Sequence, residues 1–434
     1  MAWDLKSGPG PTGRVEPEPG VSETVARVIA DVRARGDDAV IEYARQFDGT
    51  VDSDLRLTAS KIEEIVDGVP VEVRADIATV QRNVRDFAER QLESMKAFEA
   101  EVAPGVVLGQ RHTPIEAVGA YVPGGRYPLL ATAHMTIVTA RVAGVPRVAA
   151  CTPPIRGEVP AATIAAMSMA GADEIYLLGG VQAVAALAIG TETIPSVDLL
   201  AGPGNAYVAE AKRQLFGDVG IDLTAGPTET LIIADDTADA RIVAVDLLSQ
   251  AEHGPDSPAV LITTSEQLGL RVLELIDRLL PGMSTRELAG PAWRDHGAVH
   301  VVPDLAEAYA LADEYASEHV QILTAEPRDA LERMQHYGAL FLGEGTCVSY
   351  GDKVIGTNHV LPTRGAARYT GGLWVGKYLR TTTYQEVTDR SASAALGELC
   401  GRAARAESFE GHARSGDLRA ALWGNAEPTW MEGL

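Results

Sequence analysis

Between Ile115 and Pro327 the chain repeats one unit: a short run of β-branched and small apolar residues that breaks at Gly or Pro, followed by an alanine-rich stretch with helical spacing. The runs IEAVGAYVPGG (115–125), RVAACTPP (147–154), EIYLLGG (174–180) and VDLLAGPGN (197–205) stand roughly 25–30 residues apart, the spacing that a strand, a crossover helix and a parallel return strand require. A second series follows with TLIIADD (230–236), AVLITTS (259–265), AVHVVPD (298–304) and HVQILTAEP (319–327). The chain therefore reads as an α/β protein of two doubly wound halves, 105–228 and 229–380, the second including the active-site loops.

The flanks have a different rhythm. Residues 7–20, SGPGPTGRVEPEPG, read as an extended lead-in, and from Val21 to about Phe98 apolar residues recur at three and four, so region 1–104 is expected to be helical. From Thr381 the strands are expected to cease, leaving an alanine- and arginine-rich helical tail, 381–434, of the kind that packs on a partner subunit.

A chain of 434 residues is long enough for two cores, and 46% hydrophobic with 22% charged residues is an ordinary globular composition. The formal charge of -23 is the wrong sign for a nucleic-acid binder. Any anionic ligand needs a locally basic pocket or helix N-termini to hold it. Cys151, Cys347 and Cys400 are too few and scattered for a disulfide framework or a Cys-rich zinc module. No basic-then-apolar leader and no membrane-length apolar run is found, so a cytoplasmic protein with no membrane association is expected.

Several stretches could carry chemistry. In DLLSQAEHG, Gln250 and His253 are three apart and share a helical face; a histidine set against a helix C-terminus accounts for the same pattern. Glu318-His319, just before VQILTAEP, offers a carboxylate to activate water and an imidazole to act as base, and a solvated Glu-His pair is the plainer alternative. GDKVIGTNHVLPT places Asp352 and His359 in a glycine- and proline-rich loop, and ESFEGHARSGD brings Glu407 and His412 near the C-terminus. The loops YVPGGRYP and AGPGNAYVAEAK do not match G-x-G-x-x-G, but a strand, a GPGN loop and a helix still present backbone amides to a phosphate.

Together and in this order, YVPGGRYP, AGPGN, AGPTE, LLSQAEHG, EH, NHVLPT and EGHARS resemble the histidinol dehydrogenase family over nearly the whole chain. The resemblance implies a homodimer of two incomplete Rossmann-like domains whose C-terminal tail completes the neighbour's active site. It implies Zn2+ on Gln250, His253, Asp352 and, from the partner, the His412 position. It implies Glu318 and His319 as the catalytic pair, Tyr121, Gln182 and Asn205 at NAD contacts, and Thr228, His359 and Glu407 at substrate contacts alongside the zinc ligands and His319. The chemistry it implies is a four-electron oxidation, primary alcohol to aldehyde to carboxylate, with two NAD molecules reduced in turn.

The stretch RYPLLATAHMT departs from the histidine-biosynthetic branch. Tyr127 stands where that branch has a small residue, Ala131 where it has a serine that receives the substrate's amino group, and His134 where it has an aliphatic residue. Losing an ammonium acceptor and gaining a possible cation favours an anion, with His134 and Thr136 as candidate contacts; a buried histidine satisfied by a carbonyl is the alternative. ARYTGGLWVGKYLRTTTYQ is similar to a paralogous branch that includes sulfopropanediol 3-dehydrogenase. The expected substrate is accordingly an anionic primary alcohol such as 2,3-dihydroxypropane-1-sulfonate, oxidised to sulfolactate, with L-histidinol as the alternative.

Overall fold

Each of the eight apolar runs contains a strand in the computed structural model of the chain, which describes residues 2–8, 10, 20–49, 54–124, 128–223, 226–424 and 430. The first sheet orders its strands Glu174–Leu177, Arg147–Thr152, Ala117–Tyr121, Leu199–Ala201 and Gly220–Ile221, all parallel. In chain order that is third, second, first, fourth, fifth, so the winding reverses between Ala117–Tyr121 and Leu199–Ala201.

The second sheet repeats this order with Gly297–Val301, Ala259–Thr263, Thr230–Ala234, His319–Leu323 and Ala339–Leu342. Its strands show why the runs are unbroken. Leu231, Ile233, Val320 and Ile322 face a core shared with helix Leu305–Tyr315, while Ile232, Ala234, Leu261 and Val299 face helices Ala240–Ala251 and Glu266–Leu279. Successive side chains point to opposite faces, so covering both faces demands apolar residues at every position. Helix Glu266–Leu279 meets its face with Leu268, Val272 and Ile276, four apart, and starts at Ser265, whose side chain accepts from the Leu268 amide.

The helical reading of the N-terminal region holds for Val21–Arg35, Asp37–Tyr43, Ala59–Gly68 and Val71–Glu93. Val25, Val28, Ile29 and Val32 pack under the first sheet against Tyr121, Ala149 and Cys151. Two pieces differ. Trp3–Lys6 is an antiparallel edge strand on Gly297–Val301, a pairing set by a partner nearly three hundred residues away. Phe98–Ala103 forms a hairpin with Val106–Pro114, turning at Gly105 with φ +75, a conformation glycine adopts without strain. The tail differs as well, because Leu379–Val387 joins that hairpin as a third strand; its run of threonines suits an exposed strand as well as it suits a loop.

By internal packing the chain forms two units, Met1–Leu92 with Pro114–Tyr378, and Glu93–Thr113 with Leu379–Leu434. In the second unit, helices Arg390–Ala406 and Glu410–Trp423 form a hairpin through facing glycines. A Cβ on Gly416 would lie 2.6 Å from the Gly397 carbonyl oxygen, and one on Gly397 would strike that of Gly416. Gly416→Val is therefore expected to force the helices apart at a cost of about 1–3 kcal/mol, read as a lowered melting temperature; an unchanged value would mean that the helices are free to separate. Among the described residues no helix is long and apolar enough to cross a membrane.

Candidate active site

Thr230–Ala234 and His319–Leu323 are neighbours with His319 opposite Thr230. That register sets Glu229, one residue ahead of its strand, beside Glu318 and His319. The cluster thus lies at the amino ends of the second sheet's strands, opposite to the carboxyl-end crevice usual for open α/β sheets. The Glu229 amide donates to Glu318 Oε2 at 3.1 Å. The Glu229 carbonyl receives the His319 amide at 3.2 Å and lies 3.2 Å from His319 Nδ1. A carbonyl only accepts, so Nδ1 carries a proton and Nε2 is the basic nitrogen of the neutral ring. Nε2 lies 3.5 Å from Asp352 Oδ1 and makes no hydrogen bond among the described residues. Asp352 Oδ2 is in turn 3.7 Å from His253 Nε2.

Glu318, His319 and Asp352 are 6%, 2% and 5% exposed, so their charges act on one another with little solvent between them. Burial pushes Glu318 up to about 8. Burial works against a charged His319 ring, but the Glu318 and Asp352 carboxylates outweigh it and hold the ring at about 9. Burial would raise Asp352 too, yet His319, His359 and His253 keep it well below the usual carboxylate range. Burial also lifts Glu229 to about 7, against the pull of the Arg364 amide on its side chain. Three carboxylates around one imidazole, two of them with raised proton affinity, form a site able to take up and pass on protons near neutral pH.

Gln250 is the penultimate residue of helix Ala240–Ala251, which stops short of the expected Gly254 cap; His253 sits in the following turn, its amide on the Gln250 carbonyl at 3.2 Å. The side-chain oxygen of Gln250 is buried with no partner among the described residues, a costly state for an amide oxygen and one that a cation relieves. Among the described residues no group of three or more His, Cys, Asp or Glu is placed to hold a metal. What the first unit offers is the His253–Asp352 pair and the unpartnered Gln250 oxygen, an N/O donor set that fits zinc with room for a further ligand. His359 Nε2 is likewise sealed off without a partner among the described residues, and burial holds that ring at about 4.

Tyr121 ends the central strand of the first sheet and Asn205 follows its neighbour Leu199–Ala201, so both stand at the carboxyl ends of strands, where the winding reverses. Asn205 caps helix Ala206–Leu215, its side-chain oxygen accepting from the Tyr207 and Val208 amides at 3.1 Å each. The Tyr121 hydroxyl accepts from the Gly180 amide at 3.2 Å. Gln182, 1% exposed, donates to Asp48 Oδ2 at 3.2 Å, and Asp48 also takes the Gly179 amide at 3.0 Å. Under the GPGN loop the Lys212 ammonium pairs with Asp222 and donates to the Gly202 carbonyl at 2.9 Å, while Asp222 accepts the Gly202 amide at 2.7 Å.

Residues 130–142 are helical with a wider π turn over His134–Val138, an irregularity common at functional sites. His134 is 3% exposed. Its Nδ1 lies 3.2 Å from Gln81 Nε2, which makes Nδ1 the acceptor and leaves Nε2–H as a donor. Burial holds the ring at about 4, so it is a neutral hydrogen-bonding group rather than the cation suggested by its sequence position. Thr136, fully buried, donates its hydroxyl to the Thr132 carbonyl at 2.7 Å. Ala131 and His134 line a cavity of about 330 Å³. Tyr127 lies outside the described residues. Thr228 is half-buried just ahead of Glu229.

Glu407 and His412 belong to the second unit, where both are exposed. Glu407 closes helix Arg390–Ala406, and the His412 ring stands edge-on to Phe409 at 5.2 Å between centroids. Sequence reasoning passed over Asp48, Gln81, Glu229 and Lys353. Glu229 and Lys353 stand inside the motifs AGPTE and GDKVIG and were within reach; Asp48 and Gln81 carry no local signal and matter only through what the fold sets against them.

The histidinol dehydrogenase family model matches residues 14–420. A histidinol dehydrogenase homolog of Shouchella clausii is 55% identical over 98% of this chain and 100% of its own length. The sulfopropanediol 3-dehydrogenase of Ruegeria pomeroyi is 47% identical over 93% of each chain. The crystal structure of histidinol dehydrogenase from Elizabethkingia anophelis shares the fold with a TM-score of 0.89, at 32% identity and over 94% of each chain. With relatives of this identity along nearly its whole length, a likeness of fold to match, and a buried Glu-His pair within its sequence motif, the chain is an oxidoreductase of the histidinol dehydrogenase family.

Proposed function

We propose that the protein oxidises a primary alcohol bearing an anionic group to the carboxylate in two NAD-linked steps at a zinc site, 2,3-dihydroxypropane-1-sulfonate to sulfolactate being the best candidate. The single observation that carries the dehydrogenase reading is buried His319: Nδ1 tied to the Glu229 carbonyl, Nε2 without a hydrogen bond among the described residues, Glu318 alongside. Once a cation on Asp352 offsets one of the two carboxylates that hold the ring protonated, the neutral ring would have Nε2 free to take the alcohol proton. Glu318, whose burial raises its proton affinity, is suited to take a proton from the water that adds to the aldehyde. Gln250, His253 and Asp352 would hold zinc, with the partner subunit's His412 as fourth ligand. When bound, zinc would polarise the substrate oxygen and NAD would accept the hydride in each oxidation.

In this proposal each parallel sheet is an incomplete Rossmann-like domain, 105–228 and 229–380, with NAD at Tyr121, Gln182 and Asn205. Thr228, His359 and Glu407 contact substrate, and the enzyme works as a cytoplasmic homodimer. Support for an anionic substrate comes from Ala131, which presents no acceptor to an ammonium in the cavity wall, and from similarity to the sulfopropanediol enzyme. The zinc-loaded protein with NAD is expected to form two NADH per dihydroxypropanesulfonate and to be slow with L-histidinol. Fast, selective oxidation of histidinol would instead assign it to the biosynthetic reaction, and activity without NAD would overturn the dehydrogenase reading altogether.

A further inference from the structure

The cavity that holds Ala131 and His134 has a cation in its wall, Lys353, the residue directly after Asp352. Ile77 and Val80 line it with apolar surface and exposed Asp76 stands on it too. At about 330 Å³ it is of the size that holds small organic ligands. It adjoins the reaction site: Lys353 directly follows Asp352, and Asn358, next to His359, donates to the carbonyl of Met135, next to His134, at 3.0 Å. No hydrogen bond or ion pair to the Lys353 ammonium is formed among the described residues.

We propose that Lys353 and the His134 Nε2–H together form the subsite for the anionic end of the substrate, Lys353 supplying the charge and His134 a neutral hydrogen bond. This rests on the proposed function and deepens it. His134 alone cannot select an anion, because a neutral imidazole offers one donor and no charge. An ammonium beside it can, and it matters more on a chain of net charge -23, whose overall field repels anions. The apolar wall and Ala131 accept a short carbon chain and present no acceptor to an ammonium, so the subsite fits one compact oxyanion, a sulfonate or a phosphate or carboxylate of similar size, separated by a few carbons from the alcohol at His319.

The test is calorimetric titration of the zinc-loaded full-length protein with 2,3-dihydroxypropane-1-sulfonate, for the native chain, Lys353→Met and Lys353→Arg. Glycerol serves as the uncharged analogue, and glycerol 3-phosphate and glycerate as the other oxyanions. Lys353 is exposed, so folding should survive, and zinc content and NAD affinity are measured on each variant to show that Asp352 is undisturbed. Lys353→Met is expected to weaken sulfonate binding roughly 10–100-fold, the worth of one charged hydrogen bond. Lys353→Arg should keep most of it, and glycerol should bind all three proteins alike. Equal sulfonate affinity in the native chain and Lys353→Met, or parallel loss of sulfonate and glycerol, overturns the subsite. If the native enzyme turns over the sulfonate while Lys353→Met is unaltered, the subsite alone fails; if the native enzyme binds none of the oxyanions and prefers histidinol, the subsite and the anionic-substrate reading fail together.

Discussion

Glu318→Gln is expected to slow the oxidation of aldehyde to carboxylate by about 10²–10⁴-fold, the range for loss of a positioned general base, while the first oxidation continues. The amide keeps the shape of the side chain and an oxygen to accept the Glu229 amide, which now lies 3.1 Å from Glu318 Oε2. The tie between the two strands should survive and only the capacity to take a proton from water disappears. In the proposed mechanism alcohol oxidation depends on His319, whose Nδ1 is held by a backbone carbonyl that the substitution does not touch. The signature is stoichiometric: one NADH per alcohol instead of two, with aldehyde captured by a hydrazine trap. Two NADH per alcohol at the native rate would remove Glu318 from the second step.

Lys212→Met should destabilise the protein by about 3–5 kcal/mol, as expected when one member of a buried ion pair is removed and the other is stranded. Lys212 and Asp222 are each 3% exposed, and Asp222 is a hub: besides Lys212 it accepts the Gly202 amide at 2.7 Å and the Leu223 amide at 2.6 Å. Adding Asp222→Asn should recover part of the loss, because an amide tolerates burial without a counter-charge. Urea unfolding of the single and double variants measures both, and a single-variant loss under about 1 kcal/mol would show that water reaches the pair. The effect should extend to NAD, since the pair holds both the amide and the carbonyl of Gly202. That residue has φ +116, and a Cβ on it would collide with the Tyr121 carbonyl. A raised KM for NAD with less change in kcat is the expected kinetic companion.

Much of the scaffold is legible along the chain because its cause is local. An apolar run such as TLIIADD or AVLITTS becomes a strand buried on both faces wherever helices cover both faces, and the neighbouring helices carry their own spacing and caps. The edge strand Trp3–Lys6 and the strand Leu379–Val387 were hidden for the opposite reason: each is made by a distant partner, and four residues or a threonine-rich segment do not declare a period. The metal set with which the motifs begin had one local link, Gln250 to His253; Asp352 joins His253 at 3.7 Å only after a hundred residues of chain have folded back. Family resemblance named the Glu318-His319 pair, yet its chemistry depends on Glu229, whose backbone fixes both side chains through strand register. His134 shows the limit most sharply. Sequence position made it a possible cation, whereas burial against Gln81 makes it neutral and leaves Lys353 as the basic side chain on that cavity. Residue identity and order determined the family, the reaction class and the alternation of strand and helix; burial, which no sequence pattern reports, decided which of those groups are charged.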